Sequence, residues 1–198
     1  DRAIELLDSA SILQPNDEEI MMLKGSIYSM MDKYKDAIEV YKQALDFSEN
    51  KDDIYYNIGM TYQTVNNYHQ AIENYKKALE HNLHNENVLY ELAYCLDITG
   101  ELEGSISYYQ QFIDSNPYSQ YGWYNIGIVF GKLHKYAEAI NAYEFAIVID
   151  EKFASAHFNL GNTLMITGEF TKALNAYKKT IEIEGMSSET ACCLGNVY

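Results

Sequence analysis

Proline, cysteine, tryptophan and positive charge are all scarce in this chain. Its two prolines, Pro15 and Pro117, leave long stretches in which nothing breaks a helix, since proline removes a backbone donor and clashes with the preceding turn. The three cysteines make no disulfide framework: Cys192 and Cys193 are adjacent, and Cys95 stands far from any metal-ligand spacing. They read as small buried thiols in a reducing cytosol, so cytoplasmic localisation is the expectation. With 14 Lys and Arg against 29 Asp and Glu, the net charge is −15. A phosphate backbone would be repelled across most of such a surface, which argues against nucleic acid and against an anionic membrane as partners. No apolar run reaches the roughly 20 residues that span a bilayer. Missing too are a P-loop, a dinucleotide-binding glycine pattern, a nucleophile elbow and a zinc-protease motif. The many carboxylates are spread over what read as helix exteriors. No catalytic residue, metal or cofactor is expected, and the chain reads as a non-enzyme.

What the sequence has in abundance is one pattern. From Gln120 to Phe153, Trp123, Ile126, Gly127, Phe130, Tyr136, Ala139, Ile140, Tyr143, Ala146 and Ile147 recur at three- and four-residue steps, in two runs divided by Leu133-His134-Lys135. This predicts two amphipathic helices around a polar turn. Gly25 and Gly59 lie 34 residues apart, and Gly127, Gly161 and Gly195 keep the count, with Ala93 at the missing step. Ala3, Ala37, Ala71, Ala139 and Ala173 hold a second place in the period, with Ser105 in the gap, and Tyr41, Tyr75, Tyr109, Tyr143 and Tyr177 hold a third. Small residues let two helices approach closely, while large ones fill the space beside the contact.

A two-helix unit of fixed period predicts an all-α solenoid forming one domain. Residues 1–17 read as the second helix of a truncated repeat, 18–51, 52–85, 86–119, 120–153 and 154–187 as repeats, and 188–198 as the first helix of another truncated repeat. Cut ends suggest a fragment of a longer array, whose exposed faces predict end-to-end self-association. Pro15 is expected to stop the first helix. The repeat 86–119 diverges: it has Ala93, Ser105 and, where the others have Ala44, Ala78, Ala146 and Thr180, Phe112. That ring must push the next helix away or turn into a void, which predicts a change of pitch between Leu92 and Gly127. His81 and His84 lack a third ligand and read as polar residues near a helix C-terminus. His157, in the place of Trp123, reads as a core or half-buried residue with one hydrogen bond.

The stretches WYNIG (123–127), Phe130 and YAEAINAYEFAI (136–147) resemble the signature of the tetratricopeptide repeat family, and the resemblance runs along the whole chain. It implies a right-handed superhelical solenoid of antiparallel helix pairs whose first helices line a concave groove. Carried onto this sequence, the family's groove positions give a peptide-binding set: Tyr56, Asn57, Met60, Tyr90, Tyr94, Tyr121, Tyr124, Asn125, Ile128, Phe158, Asn159 and Asn162. Gln63, Glu91 and Lys132 fall beside them. Rigid aromatics bury area at low entropic cost, and methionine adapts its shape, so the stripe suits a peptide with apolar anchors. Asn57, Asn125 and Asn159 resemble the asparagine ladder of O-linked N-acetylglucosamine transferases, in which carboxamides hold a peptide backbone. The lysine positions with which the chaperone co-factor type grips a carboxylate are Met22, Tyr56, Tyr90, Tyr124 and Phe158 here. A neutral or basic segment therefore suits this groove better than an acidic tail. The resulting expectation is a protein-interaction scaffold that binds a partner polypeptide. Beside it stand a substrate-recruiting arm of an enzyme whose catalytic domain lies outside this sequence, and a self-associating array.

Overall fold

The computed structural model describes residues 2–14 and 16–195, which form twelve α-helices and, among the described residues, no strand. They are α1 (Arg2–Leu13), α2 (Glu18–Met30), α3 (Tyr34–Ala44), α4 (Lys51–Thr64), α5 (Tyr68–His81), α6 (Glu86–Thr99), α7 (Leu102–Ser115), α8 (Gln120–Lys132), α9 (Tyr136–Ile149), α10 (Ala154–Ile166), α11 (Phe170–Glu184) and α12 (Ser188–Gly195). The stop expected at Pro15 lies outside the described residues. Two compact units divide the chain, Asp1–Gly100 and Glu101–Tyr198. In the first, successive helices pack from α1 through α6, and in the second from α7 through α12.

The helix boundaries have local causes. Asp17, Asn85, Ser119 and Ser187 each stand before a helix and accept a hydrogen bond from the backbone N–H three residues on, which satisfies a donor the helix leaves without an intrahelical partner. The short turn inside each helix pair carries a left-handed residue: Asp32, Asn66 and His134 at φ near 60°, and Gly100 and Gly168 at φ 85° and 82°. These residue types tolerate that conformation. The backbone then closes back across six residues, as from Lys33 N–H to the Tyr28 carbonyl at 2.9 Å and from Glu169 N–H to the Leu164 carbonyl at 2.8 Å.

Close approach of α2 to α3, α4 to α5, α8 to α9 and α10 to α11 follows from glycine against tyrosine. A Cβ added at Gly25, Gly59, Gly127 or Gly161 would stand 2.3, 2.5, 2.7 or 2.6 Å from the ring of Tyr41, Tyr75, Tyr143 or Tyr177. Those rings are buried, so the glycine face of one helix is the seat of the tyrosine from the next. Around each joint a core closes: Ala37, Ala44, Ile54 and Ile58 in the first unit, Ala139, Leu160, Leu164 and Ala173 in the second. Phe112 meets the same requirement differently. Its ring lies where a Cβ on Gly122 would come within 2.9 Å, so the space for a large residue on α7 is left by a missing side chain on α8. The cysteine expectation holds for Cys95, which is buried, and fails for Cys192, which is exposed. Cys192 sits on an exposed face of α12.

Candidate functional site

In the first unit the predicted residues Tyr56, Asn57 and Met60 stand on α4, and Tyr90 and Tyr94 on α6, all half-buried. A polar cluster ties the two helices together. The carboxamide oxygen of Gln63 accepts from the Tyr75 phenol at 2.8 Å and the Cys95 thiol at 3.0 Å, while its Nε2 donates to Glu91 at 2.6 Å. Burial, with Glu91 adding to it, pushes the Cys95 thiol up to about 12. The same two causes raise the Tyr56 phenol above its ordinary value. Burial also raises Tyr94, with Tyr68, Cys95, Glu91 and Asp97 adding. These phenols stay neutral donors near pH 7. Asn57 turns its Nδ2 back to the Asp53 carbonyl at 2.7 Å, so one of its amide protons serves its own helix.

In the second unit Tyr121, Tyr124, Asn125 and Ile128 stand on α8, and Phe158, Asn159 and Asn162 on α10. Asn159 Nδ2 donates to the Tyr124 phenol oxygen at 3.1 Å, and Ser155 hydrogen-bonds the same phenol. Both bonds pull the Tyr124 value down, yet burial outweighs them and leaves it raised. The Tyr124 ring lies 4.8 Å from Phe153 and 6.0 Å from Tyr143, and Tyr121 meets Phe153 edge-on at 5.4 Å. Asn162 accepts from the Tyr177 phenol at 2.9 Å. Tyr124, Ile128 and Phe158 also pack partly against the core, so each divides its area between packing and surface. A cavity of about 220 Å³ brings Tyr124, Phe158 and Asn159 together with Ser155, Glu184 and Glu189.

Phe153 and Ser155 were not in the predicted set. Phe153 ends a repeat where other repeats place Asp17, Lys51, Asn85, Ser119 and Ser187, and an aromatic in a capping slot was the available signal. Four larger cavities, of about 460, 570, 330 and 440 Å³, contain none of the predicted residues. Lys172 and Lys179, at the edge of the first of these, are paired with Glu169 and Glu182 at 2.6 Å. His81 stacks on Tyr55 with ring centroids 5.8 Å apart. His157 is buried, its Nε2 at 3.1 Å from the Glu151 carbonyl. Among the described residues no group of three or more His, Cys, Asp or Glu is placed to hold a metal ion, and no helix is long and apolar enough to cross a membrane.

A family model described as TPR repeat matches residues 25–66 and 132–166. Others described as tetratricopeptide repeat match 53–85, 86–119 and 154–185. A search of curated protein sequences finds no match. Among solved structures, a MamA protein is 26% identical, with 84% of this chain and 91% of that one covered at a TM-score of 0.80. YrrB, described as a TPR protein with an unusual peptide-binding site, is 21% identical, with 98% and 99% covered at a TM-score of 0.84. PilF of Pseudomonas aeruginosa is 18% identical, with 91% and 82% covered at a TM-score of 0.76.

Proposed function

The chain belongs to the tetratricopeptide repeat family, an all-α solenoid suited to protein–protein interaction, and from that premise we propose that it holds partner polypeptide on α8 and α10 of the second unit, and likewise on α4 and α6 of the first, without catalysing a reaction. The observation that carries this reading is the Tyr124–Asn159 pair. Aromatic area, a neutral phenol and a carboxamide stand together, half-buried, beside a cavity. That combination supplies an apolar anchor and backbone-compatible hydrogen bonds at one place. Tyr56, Tyr90 and Tyr94 offer the same kind of surface on α4 and α6. The net charge of −15 favours a neutral or basic segment over an acidic one. The free thiols suit a reducing, cytoplasmic setting.

The test is selection of a displayed library of unstructured peptides on the immobilised chain. It is repeated on a Tyr90→Ala, Tyr124→Ala, Phe158→Ala variant whose circular dichroism and melting are first checked against the parent. Aromatic anchors at the centre of an interface each cost upwards of about 1 kcal/mol when truncated. Selected peptides are therefore expected to bind the variant at least tenfold more weakly. Equal binding to parent and variant, or no enrichment at all, sinks the proposal.

A further inference from the structure

We propose that the 220 Å³ cavity is an anchor pocket for one basic side chain, an arginine of the bound segment. The inference rests on the peptide-binding reading above and adds the chemistry of one contact.

Size comes first. At about 220 Å³ the cavity falls below the roughly 300–1,000 Å³ of small-molecule sites. It has room for one side chain and not for a cofactor. Its charge is of one sign: Glu184, at the end of α11, and Glu189, in the first turn of α12, line it, and no lysine or arginine does. Helix ends act partly the other way. The starts of α10 and α12 and the end of α11 border the cavity, each worth about half a charge, two positive and one negative. That leaves roughly half a positive charge against two full negative ones, so the carboxylates decide the field. The wall decides which cation fits. Tyr124 and Phe158 supply rings, and Ser155 and Asn159 supply oxygen acceptors. A guanidinium carries five donors in a plane that lies against aromatic rings and takes carboxylates two-pronged, whereas an ammonium is a compact, strongly hydrated point charge.

The experiment is a titration of the ¹⁵N-labelled chain with N-acetyl-arginine methylamide, and with its neutral isostere N-acetyl-citrulline methylamide, read by amide chemical shifts. Saturable shifts at Tyr124, Ser155, Phe158, Asn159 and Thr190 are expected with the arginine probe, at concentrations at least tenfold below those the citrulline probe needs. Both glutamates are exposed, so a Glu184→Gln, Glu189→Gln variant should fold as the parent does. It should bind the arginine probe about tenfold more weakly. Glu182→Gln, on α11 outside the cavity, should change nothing. Equal binding of the two probes, shifts confined elsewhere, or equal weakening by Glu182→Gln overturns the pocket. The peptide selection separates this failure from that of the broader reading. Peptides enriched without a basic residue, and still lost by the Tyr90, Tyr124 and Phe158 variant, overturn the pocket and leave the peptide-binding reading standing. Failure to enrich any peptide, with the arginine shifts intact, overturns the broader reading and with it the bound segment as the source of the arginine, while the arginine-binding cavity itself stands.

Discussion

The glycines at 34-residue spacing are seats for tyrosine rings, and their value can be measured one at a time. A Cβ at Gly127 would lie 2.7 Å from Cε1 of a Tyr143 ring that is itself buried. The ring has nowhere to move without opening the joint. Gly127→Leu should therefore cost about 1–3 kcal/mol through overpacking, seen as a lowered melting temperature and denaturant midpoint. An unchanged melting temperature would mean the ring is not held as described. Cys95 gives a second test at this scale. The thiolate is the reactive form, and burial has pushed the thiol up to about 12, with Glu91 adding. Iodoacetamide at pH 8 should label exposed Cys192 while Cys95 stays protected until the chain unfolds, as mass spectrometry of the digested protein can show.

At the scale of the element, three of the turns inside helix pairs couple two residues. Where the left-handed position is Asp32, Asn66 or His134, the residue two further on is Tyr34, Tyr68 or Tyr136, and its phenol bonds that side chain at 2.6, 2.8 or 2.7 Å. Where it is Gly100 or Gly168, with no side chain to meet, the later residue is Leu102 or Phe170, with no hydroxyl. Tyr68→Phe should lose up to about 1 kcal/mol, as for a typical net hydrogen bond, whereas Phe170→Tyr should gain nothing. Equal effects in equilibrium unfolding would show that the pairing carries no energy. Between elements, Phe112 and Gly122 share one volume. Gly122→Ile alone should destabilise by about 1–3 kcal/mol. Adding Phe112→Ala should restore most of that loss, and additive effects in the double-mutant cycle would refute the shared space.

For the molecule as a whole, excess negative charge sets the response to solution conditions. A net charge of −15 repels itself in the compact state. Raising salt from about 0.01 to 0.15 M shortens the screening length from about 30 to 8 Å and should raise the melting temperature. The carboxyl of Asp53 is raised, by burial first and then by Asp52 and Glu18. The folded state therefore holds that proton more tightly than the unfolded state does. Stability falls as pH rises through the window between the ordinary and the raised value, and recovers on acidification through it. Glu169 has the opposite sign, lowered by its bond to Lys172, but Lys172 is exposed and Glu169 only half-buried, so solvent screens the pair. Melting followed from pH 7 downward should show a smaller early rise for Asp53→Asn than for the parent. Identical curves would remove Asp53 from the account.

The sequence by itself determined the helix pairs, their turns and the glycine–tyrosine joints. Each depends on residues a few steps apart along one helix, or on a spacing that recurs, and burial of one face forces those steps. The turn coupling was legible too, in Asp32 with Tyr34 and Asn66 with Tyr68, although composition and period alone do not draw attention to it. Of the candidate site, the half-buried Tyr124 and Phe158 could be named through the resemblance to the repeat family, whose groove positions they occupy. Only the tertiary structure decided that Gly122 makes room for Phe112, that Gln63 gathers Tyr75, Cys95 and Glu91, and that Phe153 and Ser155 join Tyr124 and Asn159. Those contacts join side chains from different turns and helices. Whether they meet depends on ångström distances between packed surfaces, which no local period encodes.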